Sequence, residues 1–251
     1  YLQPATAIGM LVLLFISAVL PTIFDNLPHH KSGFFKPIKA ILILSLVFIC
    51  FALAAHAIPG FNNVILHENI IISEAAEAIN IKANIDKALA GIVLLFLMLA
   101  LTLQPRNQLP QARTQLSLIP LYVILVLVVA YFSGLDIDIK WPPQLLSFAI
   151  TNLLFSVIAE EAFFRGILQN GITHALRNKT QYSAYAGLIL TSVIFGLAHM
   201  GGGLHFVILA TFAGLLYGWV YHKSGKLSLA IITHWGVNVG HFLLLVYPVP
   251  K

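Results

Sequence analysis

Eight stretches of the chain are almost wholly apolar: residues 6–24, 37–58, 88–103, 116–133, 144–176, 184–200, 204–221 and 229–247. Short breaks of polar and turn-forming residues separate them. As helices rising ~1.5 Å per residue, stretches of this length cross most or all of a ~30 Å hydrocarbon core. The short alternating segments of a membrane β-barrel are not what these continuous runs look like. The pattern predicts an all-α fold, a polytopic membrane helix bundle of about eight transmembrane helices. The fifth run follows Pro142-Pro143, a fitting helix start, and meets no strong breaker before 176. It exceeds the bilayer core, so residues 168–176 are expected to protrude as a tail. The longest break, 59–87, sets Glu68, Glu74 and Glu77 among isoleucines and reads either as an amphipathic surface helix or as a structured loop. Residues 5–24 are expected to be a span, being too long and wrongly flanked for a cleavable signal peptide. A single integral membrane domain over 1–251 is expected, without linkers or repeats.

Composition sharpens this. The 251 residues are 59% hydrophobic and only 9% charged, whereas a soluble domain carries about 25% charged residues. The net charge of +5 does not point to nucleic acid, because the bases are scattered through the breaks. The breaks after the first, third, fifth and seventh runs hold two Lys or Arg each, and the break after the sixth holds none. By the positive-inside rule those four breaks are cytosolic and both termini lie outside. Lys82 and Lys87 in the long acidic break fit this count poorly. Cys50 lies in an apolar run, so no disulfide framework is possible and inert packing is expected.

The charges inside the runs are the candidate chemistry. Ala159-Glu160-Glu161-Ala162-Phe163-Phe164-Arg165-Gly166 places two carboxylates and a guanidinium in a segment that otherwise reads as membrane helix. Each such charge costs about 2.5–3.5 kcal/mol at the bilayer centre, so it marks a functional site by default. Glu161 and Arg165 are four apart and share a helix face, in the favoured acid-before-base order. Glu160 lies ~100° round the helix, so one carboxylate is paired while the other is free. The bland reading of Glu161–Arg165 is a neutralised structural lock. His199 ends the sixth run, and His234 and Asn238 share a stripe of the eighth, with His241 a turn further on. His205, His222 and His241 read first as interfacial residues. What the bland readings leave unexplained is the conjunction of a free acid, two histidines and an amide on three helices of one bundle.

Glu-Glu-x-x-x-Arg, then Phe-x-x-x-His, then His-x-x-x-Asn, in that order on successive apolar runs, resembles the CPBP family. These are the CAAX-processing and bacteriocin-processing intramembrane endopeptidases, also called the Abi family. The resemblance covers residues 148–245, within a catalytic core expected at 144–247. It implies that Glu160 activates the attacking water with His199, that His234 and Asn238 stabilise the oxyanion, and that Glu161 and Arg165 shape the site. The implied substrate is a membrane-associated protein or peptide, and the expected location is the prokaryotic cytoplasmic membrane. Elementary chemistry agrees: a carboxylate with a histidine can take a proton from water, and an imidazole N–H with an amide NH₂ can hold the oxygen of a tetrahedral intermediate. No Gly-x-Ser-x-Gly elbow is present, and Cys50 is remote in sequence, so a Ser or Cys nucleophile lacks support.

Three alternatives stand beside this reading. Glu160, His199 and His234 are acceptable zinc ligands by type, although no His-Glu-x-x-His is present; a zinc metalloprotease ranks second to a cofactor-free glutamic one. The same residues would suit a proton relay in a proton-coupled transporter. A non-catalytic scaffold or immunity protein would keep the fold and act by binding. Depth adds a constraint. Measured from the run ends, Glu160 and His199 differ in height by roughly 16 Å, and they converge if the fifth run begins outside the hydrocarbon and the sixth starts in the cytosol. From this a water-filled cavity open to the cytosol is expected, closed towards the outside by the triple glycine 201–203.

Overall fold

The computed structural model describes residues 35–100 and 109–249, together with the isolated positions Gly9, Val12 and Ile16. The first expected span, 6–24, otherwise lies outside the described residues. Seven helices are present among the described residues. They are α1 (Phe35–Ala54), α2 (Ile85–Ala100), α3 (Leu109–Phe132), α4 (Leu145–Leu176), α5 (Ser183–Ala198), α6 (Gly203–Ser224) and α7 (Leu227–Leu244). Helices α1, α3, α4, α6 and α7 are long and apolar enough to cross a membrane, and α5 is a shorter apolar helix. Large apolar side chains cover the outer faces, among them Leu44 and Phe48 on α1, Ile189 on α5 and Ile208 on α6. Water would not tolerate so continuous an apolar surface; lipid does. The expectation of a helical membrane bundle holds, with fewer described spans than the eight apolar runs.

The long break 59–87 is the structured loop of the two forms expected, not the amphipathic helix. It is an antiparallel hairpin, β1 (Val64–Ile70) and β2 (Ile79–Ala83), paired with two irregularities in register. The alternating Ile-Asn-Ile-Lys-Ala of β2 buries Ile81 against Phe148 and Phe242, which is the period of a half-buried strand rather than of a helix. The hairpin is tied down by His67 to Ser147 at 3.0 Å and by the Tyr247 N–H to the Ser73 hydroxyl at 2.9 Å. Beside it the segment before α4 pairs with the segment after α7: Asp138 N–H donates to the Leu244 carbonyl, and Lys140 Nζ to the Leu245 carbonyl at 2.6 Å. The Ser73 hydroxyl and the Lys140 ammonium hold the Asp138 carboxyl below the usual range. Its contribution is therefore present above that range and is lost as pH falls through the lowered value.

Glycines let the helices cross closely where the fold needs it. A Cβ on Gly91 of α2 would stand 3.0 Å from the Ala159 Cα of α4, so the two helices touch backbone to backbone beside Glu160. A Cβ on Gly196 of α5 would run into Thr211 Oγ1 and fall 2.6 Å from the Val207 carbonyl oxygen of α6. Thus Gly196, three residues before His199, fixes the spacing of α5 and α6. Gly196→Ala is expected to destabilise the protein by about 1–3 kcal/mol, the usual cost of overpacking. Thr211→Ala should restore only part of this, because the backbone carbonyl remains in the way; thermal unfolding in detergent measures both.

Candidate active site

Helix α4 is wound irregularly around its acidic pair. Wide π-type turns occupy Leu153–Val157 and Ala162–Gln169, leaving only Ile158–Glu161 as regular α-helix between them. Such turns are rare and recur at functional sites, since they alter the direction in which neighbouring side chains leave the helix.

Within this segment the two glutamates have separate partners. Glu161 and Arg165 are both fully buried, with Arg165 Nε 3.2 Å from Glu161 Oε2. The guanidinium also donates through Nη2 to the Gly214 carbonyl of α6 at 2.7 Å and lies over the Phe195 ring at 4.9 Å. The other Glu161 oxygen accepts from His234 Nδ1 at 2.8 Å. His234 is clamped further by Tyr217, whose ring stacks on it at 4.5 Å and 13°. Glu160 instead accepts from Lys87 Nζ of α2 at 2.6 Å through Oε1, while its Oε2 lies 3.8 Å from His234 Nε2.

His199, the residue after α5, has its Nδ1 2.8 Å from the Phe195 carbonyl. That nitrogen must carry the proton, which leaves Nε2 with a free lone pair. Asn238 Nδ2 donates to Asn152 Oδ1 at 3.1 Å. A cavity of about 380 Å³ is walled by Asn152, Ser156, Glu160, His199, His234 and Asn238, among others. A second, of about 360 Å³, lies on the other flank of Glu160 and His199, among Phe51, Leu94, Phe163 and Phe164. The first presents amides, hydroxyls, imidazoles and two carboxylates among apolar side chains; the second is more strongly apolar.

All six residues singled out in the sequence therefore meet in one region: Glu160, His199, His234 and Asn238 around the polar cavity, with Glu161 and Arg165 buried behind it. His241 also lines the polar cavity, while His205 and His222 do not. Among the described residues no group of three or more His, Cys, Asp or Glu side chains is placed to hold a metal ion. Three participants were missed. Lys87 appeared only as a misfit in the charge count, and that misfit was the available signal. Asn152, two turns before Glu160, gave none. Tyr217 looked like any aromatic in an apolar helix.

Two expectations about the cavity need correction. Residues 168–170 are not part of a protruding tail: Gln169 is buried and donates to the Gly218 carbonyl, and Asn170 donates to the Tyr221 hydroxyl at 2.7 Å. This packing of α4 on α6 seals the end that carries Arg177, Lys179, Lys223 and Lys226. The polar cavity instead reaches Gly202, Val249 and the exposed Glu77. Its mouth is thus at the triple-glycine end, opposite the basic turns, and not closed by that turn. In the orientation given by the positive-inside rule, such a mouth faces away from the cytosol, so that orientation and a cytosolic cavity exclude each other. Glu160 and His199 do meet, on the walls of both cavities, and Glu160, 15 residues on from Leu145, pairs with Lys87 in the first turn of α2.

Residues 142–240 match the family model described as Rce1-like, type II CAAX prenyl endopeptidase Rce1-like. The match overlaps the stretch that carries the CPBP resemblance and agrees with it. No curated protein and no solved structure matches the chain.

Two outcomes test this arrangement. Glu161→Ala strands a guanidinium in an apolar interior and should cost roughly 3–5 kcal/mol, enough to deplete folded protein in size-exclusion chromatography. In a Cys50→Ser background, thiols at Glu77 and Asn238 should react with a membrane-impermeant reagent from one face of sealed vesicles and a thiol at Lys226 from the opposite face.

Proposed function

We propose that the protein is an intramembrane endopeptidase of glutamic type, which hydrolyses a peptide bond in a membrane-anchored protein or peptide. The observation that carries this reading is that Glu160 and His199 line both cavities, so a compartment rich in hydrogen-bonding groups and a more apolar one meet at one carboxylate and one imidazole. In this mechanism a water bridges Glu160 Oε2 and His199 Nε2. The glutamate takes its proton as the oxygen attacks the scissile carbonyl, and the pair returns that proton to the departing amine. The tetrahedral oxygen is held by the Asn238 N–H not committed to Asn152 and by His234.

The His234 role has a condition. With Nδ1–H given to Glu161, its Nε2 is an acceptor when the ring is neutral and a donor only when it is protonated. By accepting the Nδ1 hydrogen bond, Glu161 fixes the orientation of the ring and so the direction of Nε2, which gives the second glutamate a part in the oxyanion site. The proposed chemistry uses side chains alone. The apolar cavity suits a hydrocarbon chain on the substrate, consistent with the prenyl endopeptidase description of the matching family.

The test is cleavage of lipidated and unlipidated peptides by purified protein in liposomes. Glu160→Gln and His199→Ala should each lower the rate by about 10²–10⁴-fold and Asn238→Ala by about 10²–10³-fold, with unchanged chromatographic profiles. A zinc chelator should leave the wild-type rate unaltered, and the lipidated peptide should be preferred. Full activity of Glu160→Gln would refute the assignment.

A further inference from the structure

The Lys87–Glu160 pair is not explained by any of the roles above. Lys87 sits in the first turn of α2, four residues before Gly91, and the close crossing of Gly91 on Ala159 sets its height against the neighbouring Glu160. Its ammonium is 2.6 Å from Glu160 Oε1, and the two side chains are only 18% and 17% exposed. Both face the largely apolar cavity, whereas Oε2 is turned to the side of His234. The other charged or titratable groups acting on Glu160 are His199 just after α5, His234 of α7, Arg165 of α4 and Tyr217 of α6. Both imidazoles are committed through Nδ1 to other acceptors. Arg165, the remaining cation nearby, is spent on Glu161 and Gly214.

We propose that Lys87 is a positioning residue: it keeps Glu160 ionised beside an apolar compartment and pins Oε1, so that Oε2 alone is presented to the water. An isolated carboxylate in such surroundings would neutralise by taking up a proton, and a protonated glutamate cannot act as the base. A freely rotating carboxylate would also lose the alignment that proton transfer requires. The glutamate thus depends on a lysine that lies outside residues 142–240, on a helix 73 positions earlier.

The kinetic arm of the test rests on the endopeptidase reading; the spectroscopic arm does not. In the liposome assay Lys87→Met should lower kcat by about 10²-fold, as for loss of a general base, with KM unchanged. Lys87→Arg should restore most of it. Infrared difference spectra at neutral pH should show a protonated carboxyl band in Lys87→Met that is absent from wild type and from Lys87→Met/Glu160→Gln. If Lys87→Met does not purify as folded protein, Lys87→Gln takes its place. Wild-type kcat in the variant, no new band, or a band surviving Glu160→Gln would each overturn the inference. A wild-type protein that cleaves nothing would instead count against the endopeptidase reading, and the infrared result would still decide the role of Lys87.

Discussion

Glu161 is the group around which the site is assembled. Its two oxygens face in different directions, one to Arg165 in its own helix and one to His234 in α7. Arg165 continues the chain of contacts to the α6 backbone at Gly214. A single buried carboxylate therefore sets α4, α6 and α7 in register. Such a network is a poor source of net stability, because desolvation offsets most of the Coulomb attraction. Its value is positional: apolar packing tolerates small rotations of a helix, whereas a charged hydrogen bond across a dry interior has one acceptable geometry. Rotating α4 to satisfy Glu161 also determines where its neighbour Glu160 emerges, on the cavity side.

Much of this was legible from spacing. Glu161 and Arg165 at four residues, His234 and Asn238 at four, and the long uninterrupted fifth run are helix arithmetic, and the structure keeps them. Charges in an apolar run are conspicuous for the same energetic reason that makes them rare. What spacing does not carry is contact between distant segments. The Lys87–Glu160 pair spans 73 positions, and nothing local to Lys87 distinguishes it from a lysine at a bilayer edge. The hairpin went unread because isoleucines alternating with polar residues over five positions fit a strand only once Phe148 and Phe242 are there to cover Ile81.

The direction in which the cavity opens was misjudged for a related reason. Distances along single helices locate residues by depth but say nothing about which end is plugged. Here the plug is made of side-chain contacts, Gln169 to the Gly218 carbonyl and Asn170 to the Tyr221 hydroxyl, beside a glycine on α6 that lets α4 approach. The basic turns gather on that sealed side, and the acidic hairpin on the open one.

The meeting at Glu160 of a compartment rich in hydrogen-bonding groups with a more apolar one implies a particular kind of selectivity. A molecule that fills both must be amphiphilic, and it is held by the frontier between its oily and its hydrogen-bonding parts. Sliding it along its axis would draw polar groups among Phe51, Phe163 and Phe164, or apolar ones among amides and imidazoles, and either mismatch raises the free energy. The bond presented to Oε2 would then be chosen by its distance from that frontier, as on a ruler, with little regard to which side chains flank it.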